Sequence, residues 1–210
     1  MRVAFISDTH QLHDALQVPP CELLVHAGDF STVGYTKELD AFLKWFRAQP
    51  GRHKVLVAGN HDFNVERDVE AAREKIERLG ITLLHDQTVT LGGLRIHGSP
   101  WTPQFGEWAF MLARGEPLIE KWAKIPKGLD LLVTHGPPHG LGDHTRRGTL
   151  AGCEDLRRRV IAVEPRVHAY GHIHEAFGEY SVEGCATRFL NVSSTPMPPI
   201  SVRPPVVIDL

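Results

Sequence analysis

Cysteine is scarce in this sequence, long apolar runs are missing, and neither sign of charge dominates. The three cysteines, Cys21, Cys153 and Cys185, stand far apart and form no C-x-x-C pair. Isolated thiols in odd number argue against a disulfide framework and exclude a cysteine-rich structural zinc site, and they fit a reducing cytoplasm. No apolar stretch reaches the roughly 20 residues that cross a bilayer. "RVAFISD" follows the first methionine without a signal-peptide pattern. With a formal charge of −2, no global field draws the chain to nucleic acid or to an anionic membrane. Its one basic run, Arg157-Arg158-Arg159, falls in a helical pattern and reads as a solvated face. The expectations are a cytoplasmic protein with no membrane and no stable nucleic-acid partner, its oligomeric state left open. At 210 residues, one domain spanning 1–210 is expected, large enough to fold without a staple.

What is present is a series of short runs rich in valine, leucine and isoleucine: "RVAFIS", "CELLVHA", "HKVLVA", "LDLLVT" and "RVHAY". Each has strand length and reads as a strand buried on both faces. Helical spacing lies between them. "TKELDAFLKWFRAQ" aligns Leu39, Phe42, Leu43 and Phe46, and "VERDVEAAREKIERLG" aligns Val69, Ala72, Ile76 and Leu79. "GEPLIEKWAKI" and "GCEDLRRRVIAV" predict two more helices. Hairpins are expected at Gly92-Gly93 and near Glu183-Gly184, a last strand at "PPVVIDL", and an ordered connection through "STPMPPISVRPP". Parallel and antiparallel pieces together predict an α/β protein with two mixed sheets face to face and helices outside.

The five strand ends are chemically alike. They carry Asp8-Thr9-His10, Gly28-Asp29, Gly59-Asn60-His61-Asp62, His135-Gly136 and Gly171-His172-Ile173-His174. Ligands of open α/β sheets bind beyond the carboxyl ends of strands. Thirteen histidines are many for such a chain, and His172 and His174, two apart, face one side of an extended backbone. Taken singly, each cluster has an ordinary reading as a turn or a satisfied buried histidine; five in register do not. Asp8, His10, Asp29, Asn60, His135, His172 and His174 offer oxygen and nitrogen but no sulfur. That is too many ligands for one ion and suits two ions about 3.5–4 Å apart sharing a carboxylate. The donor set favours manganese, then iron, zinc, cobalt or magnesium.

The series D-x-H, G-D, G-N-H-D, T-H-G and G-H-x-H resembles the calcineurin-like metallophosphoesterases. "SPWTPQFGEWAF", "LIEKWAKIPKGLDLLVTHGPPHG" and "NVSSTPM" extend the resemblance to the metallophosphoesterase-domain, or brain-enriched, proteins of animals and their bacterial relatives. The resemblance implies a four-layer αββα sandwich with a binuclear centre. It implies Asp8, His10 and His174 on one ion, Asn60, His135 and His172 on the other, Asp29 bridging, and His61 as a catalytic histidine that binds no metal. Some animal relatives have glycine where this chain has His172; here the set is complete. One departure stands out. Phosphoprotein phosphatases of the superfamily read G-D-x-x-D-R-G, whereas this chain has Thr32 and Val33 at those places, so the aspartate that would orient His61 is missing.

The activity so implied is phosphodiester hydrolysis, with cyclic nucleotides, notably 2′,3′-cyclic ones, as leading substrates. A hydroxide held between the ions would attack phosphorus, and His61 would protonate the leaving oxygen. Asn60, His61, Trp101 and His139 are the substrate-contact candidates. Phe105 and Trp108 lie in the same aromatic segment as Trp101 and either stack on a base or pack the core. Arg146 and Arg147 either reach a phosphate or lie in solvent, and His144 is a further candidate near the site. The competing reading from another class is a metal-dependent nucleotide-binding protein with little turnover.

Overall fold

Alternation along β1 (Arg2–Ile6) sets the layering. Val3 and Phe5 enter the seam between two sheets, whereas Ala4 and Ile6 face helices on the other side, as a period of two requires. The computed structural model describes residues 1–196 and 201–210. From β1, strands β2 (Leu23–Ala27), β3 (His53–Val57) and β4 (Thr82–Leu83) continue in parallel. β5 (Gln87–Leu91) and β6 (Leu94–Ser99) form the hairpin expected at Gly92-Gly93. β7 (Thr102–Pro103) and β8 (Met111–Leu112) make a separate short pair. β9 (Leu131–Thr134) and β10 (Val167–Tyr170) run parallel, and β11 (Gly178–Val182) with β12 (Cys185–Asn191) is the second expected hairpin. β13 (Val206–Asp209) returns antiparallel to β1. The two large sheets have the orders β13-β1-β2-β3-β4 and β11-β12-β10-β9-β6-β5.

Helices α1 (Thr36–Ala48), α2 (Phe63–Glu66) and α3 (Val69–Glu77) lie on the first sheet's side, with Phe42, Phe46, Ala72 and Ile76 packed on Ile6 and Leu56. α4 (Glu116–Ala123) and α5 (Glu154–Val163) cover the second sheet through Trp122, Leu156 and Val160. Between the sheets, Val25, Val57, Val133 and Ala169 fill a third apolar layer. The αββα sandwich is therefore present. The expected continuous helix after Val65 is instead two: Asp68 turns its carboxylate onto the Ala71 N–H at 3.0 Å and starts α3 afresh, the usual preference of a short acidic side chain. Of the expected connection "STPMPPISVRPP", residues 197–200 lie outside the described residues. Among the described residues no helix is long and apolar enough to cross a membrane.

The basic run on α5 is fastened rather than free. Arg157 and Arg159 donate to the backbone carbonyls of His139 and Ile125, and Arg158 pairs with Asp155.

The carboxyl ends of β1, β2 and β3 meet those of β9 and β10 at one edge of the seam, where Ser7 pairs with Ser193 across the two sheets. Gly171, beyond β10, sits so close to β1 that a Cβ there would overlap Ser7 Oγ and Asp8 Oδ2. Gly171→Ala is expected to cost about 1–3 kcal/mol by overpacking, read by urea denaturation, and to weaken metal binding by displacing Asp8.

Candidate metal centre

All seven expected ligands come together at this edge. Asp8, His10 and His174 form one group of converging donor atoms, and Asp29, His135 and His172 form another. Asp29 belongs to both sides, since it also groups with His10 and His61. His135 Nε2 lies 3.3 Å from Asp29 Oδ2 and 3.0 Å from Asn60 Oδ1. His174 Nε2 lies 3.6 Å from Asp8 Oδ1. Asp8, His10, Asp29 and His172 all have positive φ, at 52°, 41°, 60° and 69°. Left-handed backbone is uncommon for such residues and collects where function holds it.

The histidine tautomers show what the centre is built for. Nδ1 of His10, His135 and His174 lies 3.0, 2.9 and 2.6 Å from the carbonyls of Ser31, Ala27 and Thr195. Carbonyls only accept, so each Nδ1 carries a proton and each Nε2 is the atom turned to the centre, free to bind a cation or a second proton. Nε2 of His10 and His174 then face each other at 3.2 Å, and His135 Nε2 faces the oxygen of Asn60. Lone pairs at such range repel unless a proton or a cation lies between them. The donor set therefore fits divalent cations. Burial opposes charge on His135, but Asp29 and Asp8 raise its pKa to about 9. Burial likewise opposes charge on Asp29, yet His135, His61 and His10 hold its carboxyl well below the usual range.

Sequence reasoning gave no role to several residues that hold these ligands. Asp62, fully buried, accepts N–H groups from Asp29, Ser31 and Gly59 at 2.9, 2.9 and 2.7 Å. One carboxylate thus ties the loops after β2 and β3, and burial with the charge of Asp29 pushes its pKa up to about 8. The available signal was its place in G-N-H-D. Ser193 donates to Asp8 Oδ2 at 2.8 Å.

His61 is held without the absent aspartate. Its Nδ1 lies 2.6 Å from the carbonyl oxygen of Thr32, and its backbone N–H donates to Asp29 Oδ1 at 2.7 Å. Thr32 is held in turn by Glu38, whose carboxylate accepts the Thr32 hydroxyl and the Tyr35 N–H. Trp108 packs on the His61 ring, centroids 4.3 Å apart. Phe105, 59 % exposed, lies 5.3 Å from the His172 ring.

Trp101 is placed elsewhere. Its indole donates to Asp86, and Lys121 lies over its ring, so it belongs to the edge of the core. His139 stands beside Asp143 at 3.7 Å and contacts none of the ligand residues among the described residues. His144 is exposed in a small hairpin, bridged to Leu150. His26, His97 and His168 are buried beside threonine hydroxyls, and burial drives their pKa values down to about 3, 4 and 3.

Comparison with known proteins agrees with this geometry. The pattern of the calcineurin-like phosphoesterases matches residues 1–176. This chain belongs to that family. It is 38 % identical to human metallophosphoesterase domain-containing protein 1, over all of this chain and 71 % of the relative. It is 33 % identical to the UPF0046 protein C25E10.12 of Caenorhabditis elegans, over all of this chain and 81 % of the relative. Among solved structures, a phosphopantetheinyl hydrolase from Mycobacterium tuberculosis superposes with a TM-score of 0.61 at 15 % identity, covering 91 % of this chain and 88 % of that one. That likeness concerns the fold. Family and donor set together make the protein a metal-dependent phosphoesterase.

Two outcomes follow for this phosphoesterase. A cation held at His135 would have to displace the proton that this ring otherwise keeps up to about pH 9. Metal affinity should therefore rise with pH, by up to roughly tenfold per unit below that value, and binding at neutral pH should release protons. Titration calorimetry in buffers of different ionisation enthalpy reads the release. Asp62→Ala leaves three buried N–H groups unpaired and should cost at least about 3 kcal/mol, measured by urea denaturation of the metal-free protein.

Proposed function

We propose that the protein is a phosphodiesterase working with two divalent ions, manganese first among them. Asp8, His10 and His174 would hold one ion, Asn60, His135 and His172 the other, and Asp29 would serve both. The observation that carries this reading is the position of Asp29, within reach of both histidine groups. When bound, the ions supply a water acidic enough to attack at neutral pH and positive charge against the phosphoryl oxygens.

The chain supplies the remainder. His61 stands beside the centre, its Nε2 3.9 Å from Asp29 Oδ2. With Nδ1 fixed on the Thr32 carbonyl, Nε2 is the atom free to deliver a proton to the leaving oxygen. Asn60 would add a neutral oxygen ligand, leaving the second site less negative than a carboxylate would. Phe105 and Trp108, the latter 37 % exposed, offer aromatic faces on which a nucleobase can stack. Together these favour nucleotide diesters, with 2′,3′-cyclic nucleotides as the leading class.

Hydrolysis of bis(p-nitrophenyl) phosphate and of 2′,3′-cyclic AMP with manganese, abolished by EDTA, is the expected result. Absence of metal-dependent release would favour a nucleotide-binding protein without turnover. His61→Ala should keep both ions and lose about 10²–10⁴ in kcat, whereas Asp29→Asn should lose metal. Loss of metal from His61→Ala would overturn its role as the acid.

A further inference from the structure

A cleft of about 570 Å³ opens from the metal centre on the side of His172, a size that suits a small-molecule ligand. Phe105 lines it together with Arg114, Arg146 and Arg147. Three guanidinium groups face one carboxylate, that of Glu175, in a chain whose formal charge is −2. Glu175 is already engaged, since it accepts the backbone N–H of Arg146.

The arginines are presented by a built turn. Thr145 and Thr149 pair through backbone and hydroxyls, His144 bridges Leu150, and the Gly148 N–H closes on the Thr145 carbonyl at 2.9 Å. Arg146 and Arg147 are therefore the two central residues of a tight turn, and Gly148 takes the positive φ of 77° that follows it. Arg114 buttresses the base of this hairpin by donating to the carbonyls of Ala151 and Gly152 at 3.0 and 2.8 Å. The contact with Glu175, next to the ligand His174, fixes the tip relative to the centre. Unlike Arg157, Arg158 and Arg159, the guanidinium groups of Arg146 and Arg147 have no hydrogen-bond or ion-pair partner among the described residues. Fixing a turn in advance lowers the entropy that binding must overcome, and a guanidinium fork matches phosphate geometry.

We infer that this cleft is a second anion subsite, which takes a phosphate remote from the reacting one on a nucleotide carrying two separate phosphates. Phe105, which lines the same cleft 5.3 Å from the His172 ring, offers an aromatic face for the nucleoside that would join the two phosphates. The inference uses the phosphodiesterase reading only to say where the first phosphate sits.

Binding reads the subsite without turnover. Titration calorimetry of the metal-loaded protein should give adenosine 3′,5′-bisphosphate an affinity roughly tenfold or more above that of 5′-AMP and of 3′-AMP, as one more charged hydrogen-bonded group provides. The double variant Arg146→Ala/Arg147→Ala should bring that ratio near one and leave hydrolysis of bis(p-nitrophenyl) phosphate unchanged. Equal affinities in the unaltered protein, no binding of the bisphosphate, or a ratio that survives in the variant would overturn the subsite. A retained ratio in the unaltered protein without any diester hydrolysis would sink the catalytic reading alone.

Discussion

The molecule is arranged around one buried negative charge. Asp29, 2 % exposed, has His10, His61 and His135 about its Oδ2, while its Oδ1 is taken by the His61 N–H. A carboxylate removed from water is costly unless positive charge meets it. Around Asp29 that charge can come only from protons on the imidazoles or from metal ions, and the orientation of the rings sets which nitrogens meet it. Their Nδ1 atoms are committed to carbonyls of the loops, so the Nε2 atoms face Asp29, where those of His10 and His135 can take either a proton or a cation and that of His61 can carry a proton.

Holding such a centre requires two sheets. Neither sheet alone carries enough strand ends to supply both histidine groups: Asp8, His10, Asp29 and Asn60 follow strands of the first, His135, His172 and His174 strands of the second. The apolar seam between the sheets fixes their relative position. The contact of His135 Nδ1 with the Ala27 carbonyl crosses that seam, as does the His172 N–H on Asp8. Packing energy far from the chemistry thus sets ångström distances within it, in the way preorganised sites generally work.

Most of the frame was legible because apolar runs stop abruptly at polar clusters and because glycine pairs mark hairpins. The convergence of the candidate ligands was legible for a related reason: each cluster alone reads as a turn or a buried histidine, but five of them at strand ends of one α/β frame must meet at its edge. What escaped was carried by groups that leave no mark in a sequence. The carbonyl of Thr32 is what holds the His61 ring, and any residue has a carbonyl. Glu38, which braces Thr32, looks like an ordinary acid in the first turn of α1. In the irregular segment from Trp101 to Trp108 there is no period to tell inside from outside, so Trp101 could not be separated from Phe105 and Trp108. His139 follows the His135 loop closely in sequence, yet the chain has already turned toward α5, where Arg157 binds its carbonyl.

The claim on which the account rests is that Asp29 stands between two cations. Crystals grown with manganese and measured at its absorption edge test it most directly. Two anomalous peaks of comparable height, about 3.5–4 Å apart with Asp29 touching both, are the predicted result. A single peak, or two peaks of which Asp29 touches one, would contradict it.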